Sequence, residues 1–513
     1  MTPRPGTLPA LALAALALPA LATPAAADDA CRALADLRIN DVNMLSAVPM
    51  RATDDLPAFC SVRGYIRPAI NFEIRLPEDW NGGFYMAGCG GFCGQLLSDA
   101  PGFVNAMNHG LRRGYASATM DGGHWGANSV DARWALYNRV AEVDWGERAV
   151  RETAVLAQSV IERFYGDAPS PRIFAGCSTG GRQANMLALR SPTLFDGIIN
   201  GAPALDYTGL VATWMASVVQ ANTAEDGSRI IGPEDVGLIR DHVLAQCDAA
   251  DGLEDGLISD PDSCQVDWSG IACGEGSNAP CLSDAQIGTL TAWTETGAVD
   301  SAGESLHPTR VPLGSEPFWG LWLTGFPGGG GGLVPVFNQN FLQFMAFRDD
   351  PGEGFTSMDF DFDRHPAELE FMGRIYNANQ ADLAGFAEAG GRMITWHGLA
   401  DAIVPHGYTV DYFQRLRAAH GDALDDVNRL FLIPGMDHCG IQGGPGITSA
   451  GFDPLSAMEA WLAEGTAPEV LMTTRRDGDG DVDWERPVCT WPAQARHDGE
   501  GDWREADSWA CAE

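Results

Sequence analysis

The feature that most constrains this chain is the decapeptide Arg172-Ile173-Phe174-Ala175-Gly176-Cys177-Ser178-Thr179-Gly180-Gly181. The apolar run Ile173 to Ala175 reads as a buried strand, and Arg182 to Arg190 is rich in helix formers. Between them stands Gly176-x-Ser178-x-Gly180, the pattern of a sharp strand-to-helix turn that holds a serine hydroxyl exposed above a sheet edge. Glycines on both sides let such a turn close without side-chain clashes. The plain alternative is a glycine-rich turn with a capping serine. The flanking strand and helix favour the nucleophile elbow.

The elbow implies a sheet around it. Phe84 to Ala87 and Tyr115 to Met120 read as strands, and Asn71 to Leu76 alternates as a half-buried strand should. Between Glu147 and Tyr165, Val150, Ala154, Ala157, Ile161 and Phe164 form one buried stripe of a helix. Strand, helix, strand, helix in this order predicts an α/β fold with a mostly parallel sheet and right-handed crossovers. From about Leu205 to Gly390 the texture changes: few β-rich runs, four cysteines (Cys247, Cys264, Cys273, Cys281) and the low-complexity stretch Gly328 to Gly332. This predicts an insertion over the carboxyl edge of the sheet, giving a core of residues 28–204 and 391–513 and a lid of 205–390. Arg392 to His397 and Arg429 to Pro434 resume the strand pattern.

Composition bears on the surroundings. Residues 1–27 have the form of a secretory leader, with Arg4, the apolar run Leu8 to Ala22 and an A-x-A site at Ala25–Ala27. Twelve cysteines, an even number, then argue for disulfides in a secreted or periplasmic protein. A net charge of −37 repels nucleic acid and anionic membranes, so neither is expected as a partner. No later stretch is apolar for long enough to cross a bilayer.

A serine needs a base to take its proton and an acid to orient that base, and on such a sheet they follow in the order Ser, Asp, His. Asp401 lies in the loop after the Arg392 strand and His438 in the loop after the Arg429 strand, where open α/β sheets place their sites. The expected roles are Ser178 as nucleophile, His438 as base and then acid, and Asp401 as orienting carboxylate. His124, His397 and His406 are rival imidazoles. Asp437 is a rival carboxylate whose adjacency to His438 would point it away. Cys177 precedes Ser178 and Cys439 follows His438, so a serine–histidine hydrogen bond would bring the two sulfurs within bonding range.

The glycine-rich Gly88 to Gly94 follows a strand, and Cys89 with Cys93 could clamp it as an oxyanion-hole loop. In the insertion, Cys247 to Leu257 offers the carboxylates of Asp248, Asp251 and Asp255 and the carbonyls of Leu253 and Leu257. These are hard oxygens suited to Ca²⁺, though a solvated acidic loop is an equal alternative on residues alone. Asp477-x-Asp479-x-Asp481-x-Asp483 lacks the glycine and glutamate of an EF-hand and reads as a surface turn. No organic cofactor motif is present.

Taken together, Gly-Cys-Ser178-x-Gly-Gly, His-Gly-x-x-Asp401-x-x-Val-Pro and Asp-His438-Cys439-Gly resemble the tannase/feruloyl esterase family, which includes mono(hydroxyethyl) terephthalate hydrolases. The resemblance runs from about Cys31 to Cys489 and implies an α/β-hydrolase core with a large lid. It further implies oxyanion donors at the N–H groups of Thr179 and of Gly91 or its neighbour, and Ca²⁺ at Asp248, Asp251, Leu253, Asp255 and Leu257. Bridges are implied for Cys177–Cys439, Cys31–Cys60, Cys247–Cys264, Cys273–Cys281, Cys489–Cys511 and Cys89–Cys93. The activity implied is hydrolysis of a small aromatic ester of hydroxycinnamoyl, galloyl or terephthaloyl type through an acyl-enzyme. Competing expectations are a serine peptidase or lipase on the same scaffold, and a calcium-stabilised binding protein without catalysis.

Overall fold

A computed structural model describes residues 1–2, 24–101, 105–274, 280–497 and 499–512. The apolar run of the expected leader lies outside these residues. A nine-stranded sheet organises the chain, in the order β1 (Val42–Met50), β2 (Phe59–Ile66), β3 (Ile70–Pro77), β5 (Ala116–Met120), β4 (Phe84–Ala87), β6 (Arg172–Cys177), β7 (Gly197–Gly201), β8 (Arg392–Gly398) and β9 (Asn428–Ile433). β1, β2, β3 and β5 pair antiparallel; from β5 through β9 every pairing is parallel.

The parallel strands are apolar along their length because both faces are covered. On β6, Phe174 enters one buried cluster while Ile173 and Ala175 enter the other. On β8, Met393 and Ile394 divide in the same way, following the two-residue period of a strand. Between β5 and β6 the helix Ala149–Tyr165 buries Val150, Ala154, Ala157 and Ile161, with Phe164 only partly covered. At roughly 1.5–3 kcal/mol for each large apolar side chain taken out of water, this stripe docks the helix onto the sheet. Gly166 ends it in the left-handed conformation at φ 87°.

β3 departs from the half-buried expectation. Its polar positions face the interior: Glu73 and Arg75 are both buried and ion-paired at 2.7 Å. Ser61 donates to Glu73 at 2.8 Å, and Arg75 also reaches Asp99 (2.7 Å) and Asn108 (2.5 Å). The alternation is real, but the polar face is closed by its own partners instead of by water.

Between β7 and β8 the described chain adds no strand to the sheet. It forms short helices, among them Val236–Cys247 and Leu333–Phe344, joined by 3₁₀ and π turns. Cys247–Cys264 and Cys273–Cys281 brace this excursion. After β9, two hairpins, β10 (Val470–Arg476) with β11 (Val482–Cys489) and β12 (Gln494–His497) with β13 (Trp509–Ala512), complete the chain, with Cys489–Cys511 between them. Asp477 to Asp483 spans the turn of the first hairpin, where Asp477 Oδ1 accepts the amides of Asp479 and Asp481. Cys31–Cys60 ties the N-terminal helix to β2. No helix among the described residues is long and apolar enough to cross a membrane.

Candidate active site

Ser178 sits between β6 and the helix Thr179–Arg190 at φ 66° and ψ −123°. A non-glycine residue at positive φ costs about 1–3 kcal/mol, and the surroundings must hold it there. A Cβ on Gly176 would lie 2.5 Å from the carbonyl of Gly180, and one on Gly180 would lie 2.3 Å from Asn105 Oδ1. Only glycine permits this approach. Asn105 clamps the strand end from the side: its Oδ1 accepts from Cys177 N at 3.2 Å and its Nδ2 donates to Cys177 O at 3.3 Å.

The elbow helix is buried from Thr179 to Ala188. Arg182, fully buried, donates to the carbonyls of Gly146 (2.8 Å), Tyr376 (3.0 Å) and Trp145 (3.0 Å) and lies 4.0 Å over the Trp145 ring. Burial pushes its guanidinium down to about 10. The cation thus joins the elbow helix to the turn before Ala149 and to the end of the helix Glu370–Tyr376.

Asp401 and His438 come from the loops after β8 and β9. Asp401 Oδ2 lies 2.6 Å from His438 Nδ1, and Asp401 Oδ1 accepts the amides of Ile403 (3.1 Å) and Val404 (2.8 Å). Burial would raise the Asp401 carboxyl, but the neighbouring His438 and His397 imidazoles outweigh it and hold the group well below the usual carboxylate range. With Asp401 ionised, the proton in the short contact sits on His438 Nδ1, leaving Nε2 with its lone pair. The disulfide Cys177–Cys439, with Cα atoms 6.0 Å apart, joins the residues next to Ser178 and His438, and both side chains face one cavity.

The rivals have partners of their own, although His397 Nε2 also lies 3.5 Å from Asp401 Oδ2. His397 Nε2 donates to Val404 O at 2.6 Å and Nδ1 accepts from Thr409 Oγ1 at 2.9 Å, while burial lowers its affinity for a second proton. His406 faces Asp262 at 3.2 Å. His124 stacks on Trp134 at 3.6 Å and is pushed down to about 4 by burial. Asp437 takes Gln442 N (3.1 Å) and Nε2 (3.0 Å) on its carboxylate, and burial raises it to about 7.

The cavity encloses ≈ 600 Å³. One wall is the loop Gly88 to Gly94, closed by Cys89–Cys93. Thr179 Oγ1 donates to Gly91 O at 2.7 Å and Gln183 Oε1 accepts from Cys89 N at 3.2 Å, so the loop is fastened to the elbow helix. Within it the amides of Gly88, Cys89, Phe92, Cys93 and Gly94 donate to protein acceptors. Those of Gly90 and Gly91 have no such acceptor among the described residues, and Thr179 N–H opens a helix where no intrahelical carbonyl is available. Gly91 has φ 58°, and a Cβ there would stand 2.3 Å from Ser129 O. The opposite wall is Leu321, Trp322, Leu333 and Phe337 from the excursion after β7. The Trp322 ring meets His438 edge-on at 5.6 Å. Trp322 lines the cavity, whereas Trp214, Trp268, Trp293 and Trp319 are buried without lining it.

In the acidic loop, Asp248 accepts the amides of Asp255 (3.1 Å) and Gly256 (3.0 Å), and Asp251 Oδ1 that of Leu253 (3.0 Å). Asp255 pairs with Arg486 at 2.6 Å, and burial, with Asp251 nearby, raises its carboxyl. Asp251 Oδ2 is buried without a partner. No set of three or more metal-binding side chains gathers among the described residues. The orphaned Asp251 oxygen and the hard-oxygen character of the loop nonetheless suit a divalent cation bound partly through carbonyls.

Asn105, Gln183, Arg182 and Trp322 carry no motif of their own in the sequence. Only Gln183 and Arg182, on the elbow helix, lie close enough to a motif to be singled out by position.

A family model described as tannase and feruloyl esterase matches residues 56–512. An uncharacterized esterase of Xanthomonas campestris pv. campestris is 32% identical over 545 residues, covering 94% of this chain and 91% of its own. The mono(2-hydroxyethyl) terephthalate hydrolase of Piscinibacter sakaiensis is 31% identical, covering 89% and 85%. Among solved structures, feruloyl esterase B from Aspergillus oryzae aligns with a TM-score of 0.83 at 24% identity over 95% of this chain and 100% of that one. Tannin acyl hydrolase from Aspergillus niger aligns with a TM-score of 0.72 at 21% identity over 96% of both chains. A nine-stranded, mostly parallel sheet, a serine elbow on β6 and a family match over most of the chain lead to one conclusion: this protein belongs to the tannase and feruloyl esterase family and is a carboxylic ester hydrolase of the α/β-hydrolase fold.

Proposed function

We propose that this protein is a secreted serine esterase that cleaves small aromatic esters through an acyl-enzyme. The observation that carries the reading is the 2.6 Å contact between His438 Nδ1 and ionised Asp401, on a cavity shared with Ser178. His438 Nε2 takes the proton of Ser178 Oγ as that oxygen attacks the ester carbonyl. The N–H groups of Thr179 and of Gly91 or adjacent Gly90 receive the negative charge that develops on the carbonyl oxygen. As the tetrahedral adduct collapses, His438 passes the proton to the departing alkoxide, which leaves as the alcohol. Water then attacks the acyl-serine, gives its proton to His438, and releases the carboxylic acid and the regenerated hydroxyl. Leu321, Trp322, Leu333 and Phe337 supply apolar surface suited to an aryl group.

Ca²⁺ at Asp248, Asp251, Asp255 and the carbonyls of Leu253 and Leu257 belongs to the same reading, as a brace of the loop and not a participant in the chemistry. Export is supported by the six disulfides. A panel of aryl esters, triglycerides and peptides assayed with the purified protein tests the substrate class. Turnover confined to aryl esters is expected, and a preference for triglycerides or peptides would refute it.

A further inference from the structure

The cavity over Ser178 is walled by apolar side chains, Leu97, Met120, Leu321, Trp322, Phe337 and Ile441 among them. All 32 basic residues of the chain are arginines, and none of them lines it among the described residues. His438 is the one titratable side chain in the described wall, and behind it lie the buried carboxyl groups of Asp401 and Asp437. The chain as a whole carries −37.

A second carboxylate on the acyl ring, entering this space, would give up water and meet no cation in return. The cost of burying an unpaired ion is several kcal/mol even after relaxation, and the surrounding field adds to it. A phenol, methoxy or amide group escapes that penalty, because neutral partners such as the Ser449 hydroxyl, also in the wall, are enough for it. We infer that the site takes esters of uncharged aromatic acyl groups and discriminates against those bearing a second, ionised carboxylate, as a terephthalate monoester does. This rests on the ester-hydrolase reading above and narrows its substrate class.

The test is a matched pair of nearly equal shape, methyl 4-carbamoylbenzoate and monomethyl terephthalate, compared by kcat/KM with the full chain at neutral pH and low salt. The neutral ester is expected to be favoured by at least about tenfold. Leu97 is 59% exposed, so an arginine there stays hydrated at the cavity mouth. Leu97→Arg is expected to raise the ratio of kcat/KM for the anionic ester to that for the neutral one about threefold or more. Equal or better turnover of the anionic ester by the unaltered protein, or a selectivity that Leu97→Arg does not move, would overturn the inference. If neither ester is turned over, the hydrolytic reading fails for this acyl group. Calorimetric binding to the Ser178→Ala protein then decides between the two: tighter binding of the carbamoyl ester upholds the inference, and equal or tighter binding of the anion refutes it.

Discussion

Cys177 and Cys439 are bonded to each other across 262 residues of sequence, and each is the immediate neighbour of a residue in the proposed proton-transfer chain, Ser178 or His438. The bond holds the end of β6 against the loop after β9, so the separation of Ser178 and His438 is set covalently as well as by packing. In the loop-entropy model a closure of this length contributes about 5 kcal/mol through the unfolded chain. Replacing both cysteines by serine is expected to lower the unfolding free energy by about 2–5 kcal/mol in denaturant titrations. The kcat of the folded remainder should also fall, because the elbow and the histidine loop lose their common anchor. A variant with unaltered kcat would show that packing alone sets the geometry.

Asp401→Asn isolates the orienting role. The amide oxygen can still accept from Ile403 and Val404, which turns the NH₂ group toward His438 Nδ1. Nδ1 must then accept, the ring proton moves to Nε2, and no lone pair faces the serine. A loss of about 10³–10⁴ in kcat is expected, with the fold retained by circular dichroism.

Much of this site is legible in the order of residues because its signals are local. Glycine spacing makes the elbow, and a strand followed by a loop that carries a carboxylate or an imidazole marks the positions of Asp401 and His438. Asn105 and Trp322 are different: their relation to Cys177 and His438 spans 72 and 116 residues and leaves no short pattern. β3 misleads for another reason. Glu73 and Arg75 satisfy each other inside the core, and a polar residue that is paired there has the same letter as one in water. β1 pairs at the sheet's edge with mostly half-exposed positions, and β10 to β13 form small hairpins outside the main sheet, so hydrophobic periodicity is weak in both.

Glu316 yields a prediction for pH. It is buried, accepts from Gly314 N, and burial raises its carboxyl to about 7. A carboxyl whose folded value lies above its unfolded one holds a proton in the native state that the unfolded chain has lost. Stability from this group therefore falls as pH rises from about 4.5 to about 7 and is level beyond. Glu316→Gln should be more stable than the parent by on the order of 2–3 kcal/mol at pH 8, with the difference vanishing near pH 4. Melting temperatures across that range check it, and a pH-independent difference would contradict it.

Calcium removal is a separate matter. Chelation with EGTA is expected to lower the melting temperature by several degrees, and added Ca²⁺ to restore it. In Asp251→Asn the melting temperature should no longer respond to either. Because the loop lies outside the cavity wall, kcat at a temperature well below melting should change little.

The most direct measurement is covalent. A fluorophosphonate reacts with a serine only where a base and an oxyanion pocket activate it, and digestion with mass spectrometry locates the adduct. The account predicts a single label on Ser178, absent from Ser178→Ala and strongly slowed in His438→Ala. An unlabelled protein, or a label on any other residue, would contradict it.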